Sequence, residues 1–178
     1  MVEELLRQYF IDSGLGWAAA GAMFAVMFAC IGSARGIRVA ASQGTGILSE
    51  KPDLYPWVLT YSVLPGTQGL YGFVAAILIA TNGGLNAGEF TISPLVGVAL
   101  LFVGFCMGMV EWKSAVYQGE TCSSCLNLVA KEPDQAGRSL ALPVLVEFYG
   151  LVALLVAFLL INWLTAEGLT LTNPMMGG

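Results

Sequence analysis

Polar and apolar residues are sorted into long blocks along this chain. Four apolar stretches, at roughly 14–34, 54–82, 92–110 and 141–164, are each long enough for a bilayer-spanning helix, which takes about 20 residues. The link between the second and third, Thr-Asn-Gly-Gly-Leu-Asn-Ala-Gly-Glu-Phe-Thr, is short, Gly-rich and turn-forming. The first-to-second and third-to-fourth links are polar and longer, and their flanks should extend the helices beyond the membrane. The pattern predicts an all-α membrane protein of four transmembrane helices.

The two halves repeat. Ala-Ala-Ser-Gln-Gly at 40–44 matches Ala-Val-Tyr-Gln-Gly at 115–119, and Glu-Lys-Pro-Asp at 50–53 matches Lys-Glu-Pro-Asp at 131–134. The second link holds six more residues, around Cys-Ser-Ser-Cys. With that offset Leu64 falls on Leu145 and Gly66 on Glu147. Duplication of a two-helix hairpin gives the division 1–82, first hairpin; 83–91, outer loop; 92–178, second hairpin. Small residues at four-residue spacing (Gly21, Ala25, Ala29, Ser33) and on one face of span 3 (Gly97, Gly104, Gly108) let backbones approach closely. They predict an inner layer of spans 1 and 3, with spans 2 and 4 outside it, as suits a ring of many copies.

Composition agrees. The 178 residues are 57% hydrophobic and 11% charged, with mean hydropathy +0.76. That leaves too little polar surface for a water-soluble domain, and the apolar surplus must face lipid. A net charge of −5 without a basic patch excludes nucleic acid as a partner. Arg35, Arg38 and Lys51 lie between spans 1 and 2, and Lys113, Lys131 and Arg138 between spans 3 and 4. The excess of Lys and Arg marks cytoplasmic loops. The expected protein is multi-pass in the cell membrane, with both hairpin loops cytoplasmic and the termini and 83–91 loop outside. The acidic, amphipathic start does not read as a signal peptide.

The sequence has four cysteines and no histidine. Cys30 and Cys106 lie inside apolar segments and read as small core hydrophobes. Cys122 and Cys125 form a CxxC read as part of a polar loop. Without histidine or a second CxxC, one chain lacks the ligands for zinc. A membrane thiol oxidoreductase is the alternative of another class, but the pair falls on the reducing, cytoplasmic side. A purely structural packing protein gives no reason for buried acids.

Two acids lie in or against the spans: Glu147 in span 4, and Glu111 near the end of span 3. An ionised carboxylate at mid-bilayer costs at least ~2.5 kcal/mol, so such a residue is a functional candidate. No span Lys or Arg is placed to pair with Glu147, and Lys113 points to another face than Glu111. A cation from solution is the natural partner. Span 2 adds Thr67 and Gln68 at matching depth, and Pro65 disturbs the turn behind it, freeing backbone oxygen. A carbonyl, a hydroxyl, an amide and two carboxylates are hard donors suited to Na⁺.

Leu64-Pro-Gly-Thr-Gln-Gly-Leu-Tyr-Gly-Phe73 resembles the second-helix signature of the K subunit of bacterial V-type ATPases, the duplicated c-type proteolipid rotor subunit. Gly32-Ser-Ala-Arg-Gly36 and Val146-Glu-Phe-Tyr149 resemble its first-helix end and its fourth-helix glutamate motif. The resemblance implies a non-catalytic subunit of an ATP-hydrolysing or ATP-making complex. Identical copies would form a ring that turns against a stator a/I-type subunit and meets a central-stalk subunit on the cytoplasmic side. It also implies Na⁺ at Glu147, with the Leu64 carbonyl, Thr67 and Gln68 completing the cage and Tyr71 holding the glutamate closed. No organic cofactor is expected. Where the sodium sites have a helix-3 glutamine, Glu111 is taken as its replacement. Two carboxylates on one Na⁺ then share a proton, with Glu111 protonated and Glu147 ionised. H⁺ is the alternative ion. Gly66 in place of a first-hairpin glutamate gives one ion per four helices, a gearing suited to an ATP-driven pump.

Overall fold

The computed structural model describes residues 1–86 and 92–166. Among them there is no strand. A short helix α1 (Val2–Arg7) and one π turn lead into α2 (Leu15–Glu50), which carries span 1. Span 2 is α3 (Tyr55–Val63) and α4 (Thr67–Asn82), span 3 is α5 (Pro94–Lys131), and span 4 is α6 (Ala136–Ser139) with α7 (Ala141–Leu164). All four spans have the length and hydropathy to cross a membrane. This is a multi-pass membrane protein of two tandem hairpins.

Proline sets both hairpin turns. Lys51 and Glu132 each precede a proline, which pushes the residue before it out of helical geometry. They adopt nearly the same backbone, φ −134°, ψ 74° and φ −131°, ψ 80°, and each is followed by a 3₁₀ turn, Pro52–Leu54 or Pro133–Gln135. The internal repeat is thus visible in the backbone. α5 starts where Ser93 caps it, its hydroxyl accepting from the Val96 N–H at 3.3 Å with Pro94 in the first turn.

The helices do not stop where hydropathy falls. α2 and α5 continue for several turns past the apolar stretches. Cys122 and Cys125 therefore sit on α5, buried beside Tyr61 and Leu126, and not in a loop as expected. The six additional residues lengthen a helix. Cys30 and Cys106 are exposed rather than core residues. Exposure next to lipid demands no polarity, so an apolar setting in sequence does not imply an interior position.

Close contact of α2 and α5 follows from glycine. A Cβ at Gly21 would lie 2.5 Å from the Leu100 carbonyl oxygen, and one at Gly108 2.6 Å from that of Phe24. Gly104 meets the Gly21 backbone, Gly97 meets Gly14, and Gly119 meets Gly36. Backbones at this range gain dispersion contacts along their length, the main source of helix association where lipid is as apolar as the protein. α3, α4 and α7 lie against this pair and present Leu70, Phe73, Leu145, Phe148 and Leu155 outwards. The expected bounds of the second hairpin run to 178, of which 167–178 lie outside the described residues, as does most of the 83–91 link (87–91).

Candidate ion-binding site

Pro65 splits span 2. It has no N–H to donate to the Tyr61 carbonyl, and residues Leu64–Gly66 tighten into a 3₁₀ turn. The turn places three oxygens together: the Thr67 hydroxyl donates to the Leu64 carbonyl at 3.0 Å and lies 3.4 Å from Gln68 Oε1. Behind the break, the Gly69 N–H donates to Ser33 Oγ at 2.7 Å and fixes α4 to α2.

Glu147, on the second turn of α7, faces this break half-buried. The Tyr71 hydroxyl donates to its Oε1 at 2.7 Å, and the Gln118 amide donates to its Oε2 at 3.3 Å. Gln118 also donates to the Pro143 carbonyl at 3.1 Å and accepts from Gln68 Nε2 at 2.7 Å. Gln68 Nε2 lies 3.3 Å from Ser114 Oγ, which donates to the Val146 carbonyl at 3.2 Å. One network thus joins α4, α5 and α7. Gln68 and Gln118 are fully buried in it. Among the described residues the only ion pair is the remote Arg7–Asp12, so no Lys or Arg neutralises Glu147.

Leu64, Thr67, Gln68, Tyr71 and Glu147 are therefore gathered. Glu111 is placed differently. It is fully buried, and neither carboxyl oxygen has a hydrogen-bond partner. It lies against α7 one turn beyond Glu147, where a Cβ on Gly150 would sit 2.7 Å from Oε2 and 3.5 Å from Gln68 Cγ. The helix-3 amide that reaches Glu147 is Gln118, so the expectation that Glu111 replaces a glutamine is corrected: the glutamine is present two turns further on. Sequence reasoning missed Gln118 and Ser114. The signal for Gln118 was there, in Ala-Val-Tyr-Gln-Gly at 115–119, but it served only to mark the repeat.

Each amide carries one oxygen and one nitrogen, and half a turn of its terminal torsion exchanges them. Carbonyl, hydroxyl, two amides and a carboxylate can thus turn oxygens toward one cation. Two carboxylates beside such donors, on a membrane hairpin that occurs twice, place this chain in the class of duplicated membrane hairpin proteins with buried acids. The family model that describes the C subunit of ATP synthase matches twice, over residues 20–79 and 101–160. The chain belongs to this ATP synthase proteolipid family, with its hairpin unit in tandem. It is 29% identical over 161 residues to V-type sodium ATPase subunit K of Enterococcus hirae, covering 90% of this chain and 98% of that protein. It is 33% identical over 143 residues to A-type ATP synthase subunit K of Methanocaldococcus jannaschii, covering 80% of this chain and 60% of that one. Over 94 residues it is 35% identical to the V-type proton ATPase 16 kDa proteolipid subunit of Chrysotila carterae, covering 50% and 55%.

Proposed function

We propose that this chain is the membrane rotor subunit of a V-type rotary ATPase and carries Na⁺ at Glu147. The observation that carries the reading is the setting of Glu147: a carboxylate without a basic partner, held by Tyr71 and Gln118 beside the oxygens of Leu64, Thr67 and Gln68. Na⁺ balances the Glu147 charge. Glu111, buried without a partner, holds the pair's shared proton, because a second bare carboxylate there would go uncompensated. The sodium ATPase relative, alike over nearly its whole length, supports the ion.

In this reading identical copies form a ring in the cell membrane. The hairpin turns at Lys51–Leu54 and Glu132–Gln135 face the cytoplasm and the central stalk, and both termini lie outside. A stator subunit exchanges the ion at Glu147 as each copy passes. ATP is turned over on other subunits, and this chain is not an enzyme.

Hydrophobic carbodiimides react with a protonated carboxyl, which Na⁺ binding removes. Labelling of Glu147 in the purified ring should slow as Na⁺ rises, and protection should need more Na⁺ at lower pH. Thr67→Val should weaken protection by removing one oxygen donor. Labelling that follows pH alone and ignores Na⁺ would reject sodium and identify an H⁺ rotor.

A further inference from the structure

The two hairpins share one register. Pro133 follows Pro52 by 81 residues, and Glu147 follows Gly66 by the same step. Contacts inside each hairpin obey it when depth is counted from the prolines rather than from the Gln-Gly pairs. A Cβ on Gly69 would lie 3.1 Å from Ser33 Oγ and 3.9 Å from the Cys30 Cα. One step on, a Cβ on Gly150 would meet Glu111, the counterpart of Cys30. A Cβ on Gly66 would lie 3.5 Å from Ile37 Cδ1, and their counterparts Glu147 and Gln118 are hydrogen-bonded at 3.3 Å.

Within the chain, the first hairpin offers Leu64, Thr67, Gln68 and Tyr71 to the second. One step on, the second hairpin carries Leu145, Phe148, Tyr149 and Val152, all exposed. Tyr149 and Val152 line an apolar groove whose α5 wall includes Cys106 and Val110. Those two are the counterparts of Ala25 and Ala29, buried on α2. The first hairpin has a matching free face. One step back from Glu111, Gln118 and Glu147 stand Cys30, Ile37 and Gly66. Cys30 and Ile37 are exposed, and Gly66 and Gly69 are half-buried. Each chain thus keeps two uncovered faces related as are the two already joined inside it. Unlike faces that join head to tail make a heterologous contact, which closes into a ring when the rotation permits.

The free faces have lost the ion chemistry. Phe148 and Tyr149 stand for Thr67 and Gln68, Ile37 for Gln118, and Gly66 for Glu147. The carboxylate and both amides are gone. Gly66 leaves room where its counterpart has a glutamate, and Tyr149 is bulkier than the Gln68 it replaces.

We propose that the second hairpin of each copy packs on the first hairpin of the next by this repeated geometry, with the Tyr149 ring filling the space beside Gly66 and Gly69 of the next copy and sealing an ion-free junction. The proposal rests on the ring of the proposed function. The occupant of the groove is a second copy because the chain's own hairpins already show the fit. An aromatic ring buried there supplies the contact area that a ligand cage supplies at Glu147.

The geometry brings Tyr149 of one copy beside Cys30 of the next, as Gln68 and Glu111 both border Gly150. Purified Cys106→Ala/Tyr149→Cys rings treated with a short bifunctional thiol reagent and then fully denatured should give a ladder of covalent dimers, trimers and larger species up to the closed ring. Adding Cys30→Ala should abolish the ladder, and Leu155→Cys in place of Tyr149→Cys should give none. A second pair guards against damage from losing the tyrosine. Gly108 meets Ala25, and one step on and back these become Cys106 and Met27, so Cys30→Ala/Met27→Cys should restore the ladder through native Cys106. Intact rings that give no ladder with either pair overturn the proposal and leave lipid between those faces. A product that stops at two chains also overturns it, because a head-to-tail contact cannot stop there. Rings that bind Na⁺ at Glu147 yet give no ladder refute this inference alone, whereas chains that form no ring refute the functional reading.

Discussion

Removing the Tyr71 hydroxyl tests the site with little disturbance. Tyr71→Phe keeps the ring in place and deletes the 2.7 Å hydrogen bond to Glu147 Oε1. Hydrogen bonds to charged groups contribute about 1.5–3 kcal/mol and neutral ones about 0.5–1.5 kcal/mol. Glu147 is ionised when Na⁺ is bound and neutral when protonated, so the loss falls more heavily on the Na⁺ state, by about 1–1.5 kcal/mol. At about 1.4 kcal/mol per factor of ten, the Na⁺ concentration for half-protection against carbodiimide should rise roughly five- to tenfold at fixed pH. Tyr61→Phe is the matched control. Its hydroxyl donates to the Ala136 carbonyl at 2.8 Å and lies 2.7 Å from Ser139 Oγ, remote from the ion, and half-protection should not move. A Tyr71→Phe ring with unchanged or lower half-protection would refute the role given to this hydroxyl.

Glu147→Gln should abolish ATP-driven Na⁺ transport by the reconstituted complex while the ring keeps its size; normal transport would sink the assignment. Gly104→Leu should separate α2 from α5, because even its Cβ would overlap the Gly21 carbonyl. A cost of about 1–3 kcal/mol or more per chain should appear as an earlier dissociation of the ring on heating. At Gly46 and Gly137 nothing lies within 4 Å of an added Cβ. In intact cells, Gly46→Cys and Gly137→Cys should gain labelling from membrane-permeant reagents only, and rapid labelling by an impermeant one would invert the topology.

The spans and Glu147 were legible because each is a local signal: a run of apolar residues, and one acid within such a run. Pro65 and its neighbours were legible for the same reason. Gln118 was not, because hydropathy ends span 3 near 110 and leaves Gln118 in a stretch that reads as a polar link. α5 in fact runs to Lys131. Gln118 lies thirteen residues before the end of that helix and Glu147 fourteen after Pro133, so counting from the turn puts them level. Glu111 falls deeper, against Gly150 one turn beyond Glu147. The same continuation carried Cys122 and Cys125 from a supposed loop into the packing around Tyr61. Helix length past the apolar run depends on where proline breaks it, and hydropathy does not record that.

The glycine seam between α2 and α5 has a mechanical consequence. In the proposed function, a rotor must pass torque from the helix that carries Glu147 to whatever turns with it at the hairpin turns. Side chains at an interface can switch rotamers and yield under load. Gly14, Gly21, Gly36, Gly97, Gly104 and Gly119 have no side chains to switch, and backbone rests on backbone. The network from Glu147 through Gln118 is anchored on α5, one half of that seam. Under the proposed function, a sideways pull on an ion at Glu147 would reach a stiff pair of helices 36 and 38 residues long. The two hairpins should twist as one elastic body, with little of the stroke lost within a single copy.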